Sequence, residues 1–219
     1  MDRAVSVAPD GSRHAVSRDW APEAPVALEF NGVSYAVMMA TPADLADFAT
    51  GFAIAEGLAA SAADIADVAV AEVELGWIVR RAVPSLGTDR LGERVRARVA
   101  ESSCGLCGIE NLEALAKPLP RVAPHAAIEP GAIFRALGDL KGRQPLGAAT
   151  GATHAAAFAG ADGAIHCVRE DVGRHNALDK LVGAMARGGV PLSPGFVLST
   201  ARCSYEIVEK AARGRATSL

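Results

Sequence analysis

The sequence predicts an α/β protein, with a small N-terminal subdomain made of a β-hairpin and a helix and a layered α/β domain after it. Two observations carry this prediction. An Asn-Gly pair separates two apolar runs near residue 31, and beyond residue 119 short apolar runs alternate with segments of helical periodicity. Half of the 219 residues are hydrophobic and the formal net charge is −3, so the composition is globular and indicates no nucleic-acid partner.

Residues 1–19 are predicted to be a flexible polar tail. They lack the apolar core of a secretory signal, and no apolar stretch in the chain is long enough to span a membrane. The chain has four cysteines, which in a protein without an export signal are expected to be reduced thiols. These observations predict a cytoplasmic protein without a membrane partner.

Residues 20–118 are predicted to form the N-terminal α+β subdomain. Within it, residues 26–30 and 33–39 are expected to pair as a hairpin, because Asn31-Gly32 supplies the positive φ angles of a type I′ turn. Thr41 is then expected to be the N-cap of an amphipathic helix, with a proline at its first position.

Residues 67–79 are β-like, with a bulge or bend where two groups of apolar residues fall out of phase. Further on, Arg94, Arg96 and Arg98 alternate along one strand face. Two interpretations of these arginines stay open. They form either the solvated face of an edge strand or a positive field that stabilises a nearby thiolate.

Residues 119–219 are predicted to form the layered α/β domain, because strand-like and helix-like segments alternate there. The predicted strands cover residues 154–159, 165–168 and 195–199. The predicted helices cover residues 130–137 and 176–187, and a last helix begins at residue 205.

Two thiols, Cys104 and Cys107, stand in a Cys-x-x-Cys pattern directly before a helix-like run. The unpaired N–H groups and partial positive charge of a helix start favour thiolate over thiol, which makes these cysteines the candidate catalytic residues. The pattern alone fits half a zinc site, a redox pair or a reactive thiol. Cys167 and Cys203 would complete a four-thiolate site, but a second Cys-x-x-Cys is missing, so no tightly bound metal is expected.

A second polar block covers residues 170–180, at a predicted strand end and helix start. Arginine and a helix N-terminus suit a phosphate, and Asp and Asn suit the edge of a guanine or pterin ring. In the alternative interpretation, Asp171 only caps the helix and Lys180 lies in solvent. The candidate ligand-binding residues, including others at strand ends and helix starts, are Thr153, His154, Asp171, Gly173, Arg174, His175, Asn176, Lys180, Arg202 and Ser204.

Together the two blocks resemble the FdhD family, the sulfurtransferase accessory proteins of formate dehydrogenase. The resemblance runs from about residue 20 to residue 212 and rests on several motifs in the same order. Those outside the two blocks include Glu23-Ala-Pro-Val, Asn31-Gly32, Met38-Met39, Gly51-Phe52, Thr150-Gly151 and Arg202-Cys203-Ser204.

The resemblance implies a sulfur carrier that accepts sulfur from a cysteine desulfurase as a persulfide on Cys104. The residues alone do not rank Cys104 above Cys107. It further implies that the acceptor is the molybdenum cofactor in its bis-molybdopterin guanine dinucleotide form, which GDP should mimic, that formate dehydrogenase is the recipient, and that the chain forms a homodimer. The alternative is a cofactor-binding chaperone or scaffold whose cysteines are redox-regulatory.

The resemblance also implies that residues 119–219 have a cytidine-deaminase-like, three-layer α/β/α fold. The deaminase chemistry is absent, because Ala156 stands where the general acid/base glutamate would be and no Pro-Cys-x-x-Cys follows His154. Relatives usually continue beyond the helix that begins near residue 205, so this domain is expected to be incomplete at its C-terminus.

Overall fold

The computed structural model describes residues 2–87, 91–92, 119–122, 127–190, 194–216 and 218–219. Over these ranges it has nine strands and five α-helices, so the mixed α/β fold is confirmed. Cys104 and Cys107 lie outside the described residues, as do the three alternating arginines and most of the predicted boundary near residue 119. The division into two domains therefore stays a prediction.

Where the sequence predicted a flexible tail, the structure has regular strands. β1 (Asp2–Val7) and β2 (Arg13–Arg18) pair antiparallel as a separate two-stranded sheet. The turn between them is fixed locally, because the Ser12 amide donates to the Asp10 carboxylate at 2.9 Å and Gly11 takes a positive φ of 82°. Because most residues of this segment are polar, no sequence signal indicated the two strands or the turn between them.

The N-terminal sheet has the strand order β4-β3-β6-β5. Its hairpin, β3 (Ala24–Phe30) and β4 (Val33–Ala40), is confirmed, with φ angles of 50° at Asn31 and 78° at Gly32. The predicted strand over residues 67–79 is a hairpin, β5 (Ala66–Val73) and β6 (Gly76–Ala82), with a register shift between Asp67 and Ala69.

One helix, α1 (Leu45–Ala55), covers a face of this sheet, and the side chains of Phe48 and Phe52 are buried in the core beneath it. The helix begins one turn later than predicted. Asp44, with a φ of 54°, takes the N-cap position, so the assignment of Thr41 as the cap is wrong. The local pattern favoured Thr41, whose backbone and hydroxyl are instead bonded to residues 130 and 131 positions away.

The C-terminal sheet has the order β8-β7-β9, and both pairings are antiparallel. Helices cover both faces, with one apolar cluster on each side of the sheet. The strands are β7 (His154–Ala159), β8 (Ile165–Asp171) and β9 (Phe196–Ser199). The helices are α2 (Pro130–Leu140), α3 (Pro145–Thr150), α4 (Arg174–Arg187) and α5 (Tyr205–Arg213). The described residues contain no helix long and apolar enough to cross a membrane.

The two sheets are joined by the crossing of α1 and α4, where the helix backbones touch. A Cβ atom added at Gly51 would collide with the carbonyl oxygen of Asp179, and one added at Gly183 would collide with that of Asp47. Only glycine allows so close an approach. The N-terminus of α4 is thereby held against the N-terminal sheet, and it is there that the second polar block lies.

Candidate functional site

The polar block of residues 170–180 covers the end of β8, a short turn and the first two turns of α4. The turn is Val172-Gly173, and Gly173 is the N-cap residue of α4. The polar side chains of the block divide into two groups. One group is buried and hydrogen-bonded within the protein, and the other has buried polar atoms without hydrogen-bond partners.

The first group centres on the carboxylate of Asp171, which is 0 % exposed. Its Oδ2 accepts from the Thr41 amide at 3.0 Å and lies 2.6 Å from Lys180 Nζ. Its Oδ1 accepts from the Gly173 amide at 2.7 Å and from Asn176 Nδ2 at 3.0 Å. A buried carboxylate needs such partners, since an unpaired charge in the interior is costly.

The same network reaches the end of β4 in the N-terminal sheet. Lys180 Nζ donates to the Thr41 carbonyl at 2.8 Å, and Asn176 Nδ2 donates to the Met39 carbonyl at 2.9 Å. The Val172 amide donates to Thr41 Oγ1 at 3.2 Å. The alternative that places Lys180 in solvent is wrong, because this side chain is 0 % exposed. We refer to Thr41, Asp171, Asn176 and Lys180 as the buried joint.

The second group lies at the meeting point of two helix starts. His175 is the second residue of α4 and Glu206 the second residue of α5, and their Nε2 and Oε2 atoms are 2.8 Å apart. Neither helix has a side-chain cap hydrogen bond at its N-terminus. Gly173, at the cap position of α4, has no side chain, and Ser204, at the cap position of α5, makes no such bond. Two helix N-termini without side-chain caps therefore lie side by side.

Around these helix starts, polar atoms are buried but unsatisfied. Nε of Arg174, Nε2 of His175 and Oγ of Ser204 have no hydrogen-bond partner; for His175 the short approach to Glu206 lacks hydrogen-bond geometry. Buried polar atoms without partners are uncommon in proteins and call for an explanation such as an absent ligand. We refer to Arg174, His175, Arg202 and Ser204 as the open site.

The charge environment of the open site is positive. Burial, followed by the charges of Arg174, Lys210, Arg202 and His154, lowers the pKa of His175 to about 4. The Glu206 carboxylate favours the charged ring and acts against these causes. The imidazole is therefore neutral at pH 7, and the charges of the arginines are of the sign that an anionic ligand requires.

Two further candidates, Thr153 and His154, lie where α3 leads into β7. Thr153 Oγ1 is 3.4 Å from Glu170 Oε1, and the Glu170 carboxylate also accepts from the amides of Leu146 and Gly147 at 3.0 and 2.7 Å. Glu170 therefore caps the start of α3 and is occupied within the fold. His154 pairs with Asp171 across the β7–β8 ladder, which places it next to the turn.

The C-terminal part of the site is carried by α5, which α4 holds in place. Lys210 Nζ lies 2.9 Å from Asp179 Oδ2, one helical turn beyond the contact between His175 and Glu206. Arg202 and Cys203, directly before α5, are exposed. The structure thus brings Arg202 and Ser204 beside Arg174 and His175, although nearly thirty positions separate them in the chain.

Across the described ranges, no group of three or more His, Cys, Asp or Glu residues could hold a metal ion. Because Cys104 and Cys107 fall outside these ranges, the expectation about metals stays a prediction. The sequence analysis missed the role of Thr41. No local signal points to it, because its partners lie 130 or more positions further along the chain.

A family model, curated relatives and a solved structure all relate this chain to the same family. Residues 21–219 match the model of the FdhD/NarQ family. The sulfur carrier protein FdhD of Variovorax paradoxus is 47% identical over 200 residues, which cover 91% of this chain and 72% of the relative. That of Xanthomonas euvesicatoria pv. vesicatoria is 46% identical over 206 residues, covering 94% and 73%. The crystal structure of a candidate formate dehydrogenase accessory protein from Desulfotalea psychrophila shares the fold, with a TM-score of 0.70 and 24% identity over 99% of this chain and 80% of that one.

Proposed function

The chain belongs to the FdhD/NarQ family, and from that premise we propose that it carries sulfur for the maturation of formate dehydrogenase. It takes sulfur from a cysteine desulfurase and passes it to the guanine-dinucleotide form of the molybdenum cofactor before that cofactor enters the dehydrogenase. The observation that supports the acceptor side is the open site, where two helix starts without side-chain caps meet beside buried atoms of Arg174, His175 and Ser204 that have no hydrogen-bond partner.

The open site suits the diphosphate and base of a guanine nucleotide. The free N–H groups at the start of α4, together with Arg174 and Arg202, provide the donors and charge that a diphosphate needs. The Ser204 hydroxyl offers a further polar contact. A positive site with neutral His175 at pH 7 also avoids a proton change when the anion binds.

The members of the buried joint have a different part in this proposal. The carboxylate of Asp171, the amide of Asn176 and the ammonium of Lys180 are occupied by protein partners and removed from solvent. They hold the turn at Gly173, and Arg174 and His175 make the contacts with the ligand. This divides the sequence-predicted binding residues into those that bind and those that support the binding turn.

On the donor side, the Cys104 thiolate attacks the outer sulfur of a cysteine persulfide on the desulfurase. A sulfur–sulfur bond forms on Cys104 while the bond in the donor breaks, and the donor cysteine leaves as a thiolate. For release, the Cys107 thiolate attacks the Cys104 sulfur, a Cys104–Cys107 disulfide forms and the outer sulfur departs as hydrosulfide. The two cysteines are oxidised as the transferred sulfur is reduced, and a cellular thiol then restores them.

Three finer expectations belong to the same proposal. The C-terminal layers have the cytidine-deaminase arrangement without its zinc site, the chain works as a homodimer, and it does so in the cytoplasm. The C-terminal sheet has helices packed on both of its faces, which supports the cytidine-deaminase-like arrangement.

Mass spectrometry of the peptide containing residues 104–107 tests the proposal. After incubation with a cysteine desulfurase and cysteine, we expect the added mass of one sulfur atom on this peptide. Cys104→Ala should abolish the adduct, whereas Cys107→Ala should retain sulfur longer because release is blocked. The matched control is Cys203→Ala, which removes an exposed thiol outside the pair and should load normally. Intact thiols without any adduct would favour the scaffold alternative.

A further inference from the structure

We propose that Thr41 is a positioning residue for the ligand-binding turn. Its hydroxyl group fixes the Val172 peptide. Arg174 and His175, which follow the turn, therefore begin α4 in the orientation that the ligand requires. The inference rests on the proposed function, since it concerns the same open site. It assigns a role to a residue that the sequence pattern presents only as a helix cap.

Thr41 is 2 % exposed and is bonded to the polar block of residues 170–180 through three different atoms. Its amide donates to Asp171 Oδ2 at 3.0 Å, its carbonyl accepts from Lys180 Nζ at 2.8 Å, and its Oγ1 accepts from the Val172 amide at 3.2 Å. The first two bonds use the backbone and would be available to most residues at this position. The third requires a hydroxyl group, which makes the residue type at position 41 specific.

The hydroxyl bond acts at the position where it has most effect on the open site. Val172 directly precedes Gly173, the N-cap of α4, and the first helical residues after it are Arg174 and His175. The Gly173 amide is held on the other side by Asp171 Oδ1 at 2.7 Å. Two successive peptide N–H groups are thereby fixed by two acceptors, which leaves this turn little freedom to rotate.

The loss of the hydroxyl leaves the partly buried Val172 amide without its acceptor. An N–H that loses its acceptor binds another partner or water, and we expect the turn to shift as it does so. Such movement admits water to His175, whose pKa is low chiefly because the ring is buried. The titratable groups that act on this ring are the cations Arg174, Arg202 and Lys210, the imidazole of His154 and the Glu206 carboxylate, and Thr41 is not one of them. An effect of Thr41 on His175 must therefore pass through the turn.

The experiment compares Thr41→Val, which keeps the shape and removes the hydroxyl, with Thr41→Ser, which keeps the hydroxyl. The first measurement is the NMR titration of the His175 ring without ligand, assigned with His175→Gln. The second is the affinity for GDP, taken at a temperature where every variant is folded. Thr41→Ala, which is smaller and cannot clash, replaces the valine variant if that variant fails to fold.

We expect Thr41→Val to raise the pKa of His175 from about 4 toward its ordinary value of 6.5 and to weaken GDP binding about two- to tenfold, while Thr41→Ser retains both properties. A residue that only stabilises the fold would lower the melting temperature and leave the titration and the affinity unchanged, and that result would overturn the inference. If the His175 titration moves as expected but GDP does not bind the wild-type chain, the positioning role stands and the nucleotide ligand is wrong.

Discussion

The buried joint and the open site share one short stretch of chain, yet they differ in how their polar atoms are satisfied. Asp171, Asn176 and Lys180 are nearly inaccessible, and each finds partners within the protein. Arg174 and His175 lie between them in the sequence, and each has a buried nitrogen without a hydrogen-bond partner. Completeness of hydrogen bonding therefore separates the residues that build the site from those that remain free to bind.

The contrast has a structural cause in the helix geometry. Residues 176 and 180 are four apart and lie on the face of α4 that packs against the N-terminal part of the chain. Residues 174 and 175 stand in the first turn, where helix N–H groups have no internal acceptors. The joint thus fixes the helix while its N-terminus stays available to a ligand.

The largest effect is expected for the buried joint. Lys180→Met leaves the Asp171 carboxylate buried without its cation, which should lower the free energy of unfolding by about 3–5 kcal/mol. Urea denaturation measures this change. The matched control is Lys141→Met, in which the lost ammonium belongs to an exposed residue, with an expected change within about 0.5 kcal/mol. If the free energy of unfolding changed by the same small amount in both variants, Lys180 would not stabilise a buried charge, and the definition of the buried joint would be wrong.

The next effect concerns ligand affinity. Arg174→Ala removes a charged donor from the open site and should weaken GDP binding by about tenfold to a hundredfold, since charge-assisted hydrogen bonds contribute about 1.5–3 kcal/mol. Isothermal calorimetry measures the affinity, and Arg135→Ala, on α2, is the control. Persulfide loading of Cys104 should be unchanged, because loading requires the donor and the thiolate alone. A loss of loading together with GDP affinity would show that the two activities are not separable.

The acid sensitivity of the fold provides an intermediate test. The pKa of His175 is about 4 in the folded chain and 6.5 in a free side chain, so the unfolded state binds more protons between these values. Stability should therefore fall as the pH decreases from 6.5 to 4. The full shift corresponds to roughly 2.6 kcal/mol over this range, and solvent screening of the partly buried ring reduces the expected loss to about 1–2 kcal/mol. In denaturation curves between pH 6.5 and 4 the wild type should lose more stability than His175→Gln, because glutamine does not titrate. Parallel curves across this range would mean that His175 is not buried as a neutral ring.

The smallest effect is expected at Ser204. A serine N-cap typically contributes about 1 kcal/mol, but here its Oγ makes no hydrogen bond. Ser204→Ala should therefore change the free energy of unfolding by less than about 0.5 kcal/mol while it weakens GDP binding. Chemical denaturation and calorimetry on the same preparation give both values. If Ser204→Ala lowered the free energy of unfolding by about 1 kcal/mol and left the GDP affinity unchanged, Ser204 would be a structural N-cap and not a ligand-binding residue.

Local chemistry explains which elements the sequence could predict. The Asn31-Gly32 hairpin follows from the φ angles of two adjacent residues, and α4 follows from apolar periodicity that ends near paired glycines. The strands within residues 2–18 were not predicted, because polar residues dominate them and the turn at Gly11 depends on a single Asx contact. Likewise, Thr41-Pro42 has the pattern of a helix start, but long-range bonds to the second polar block engage Thr41.

The sequence could predict that polar side chains gather in residues 170–180, but not that they divide into two groups. That this block binds a ligand stays a prediction. Whether Asp171 or Arg174 is buried depends on the crossing of α1 and α4 at Gly51 and Gly183, a contact between distant parts of the chain. Sequence spacing does not carry that information, so the division into joint and open site needs the three-dimensional fold.

The most direct test of the central claim is hydrogen exchange with and without GDP. The account predicts slower exchange in peptides that cover residues 172–177 and 203–207, where the two helix starts meet. Exchange in the β5–β6 hairpin, residues 66–82, should not change. In the N-terminal sheet this hairpin is separated from β4, the strand that contacts the start of α4, by β3. No slowing at the two helix starts, or slowing confined to other segments, would contradict the assignment of the open site as the place where the nucleotide binds.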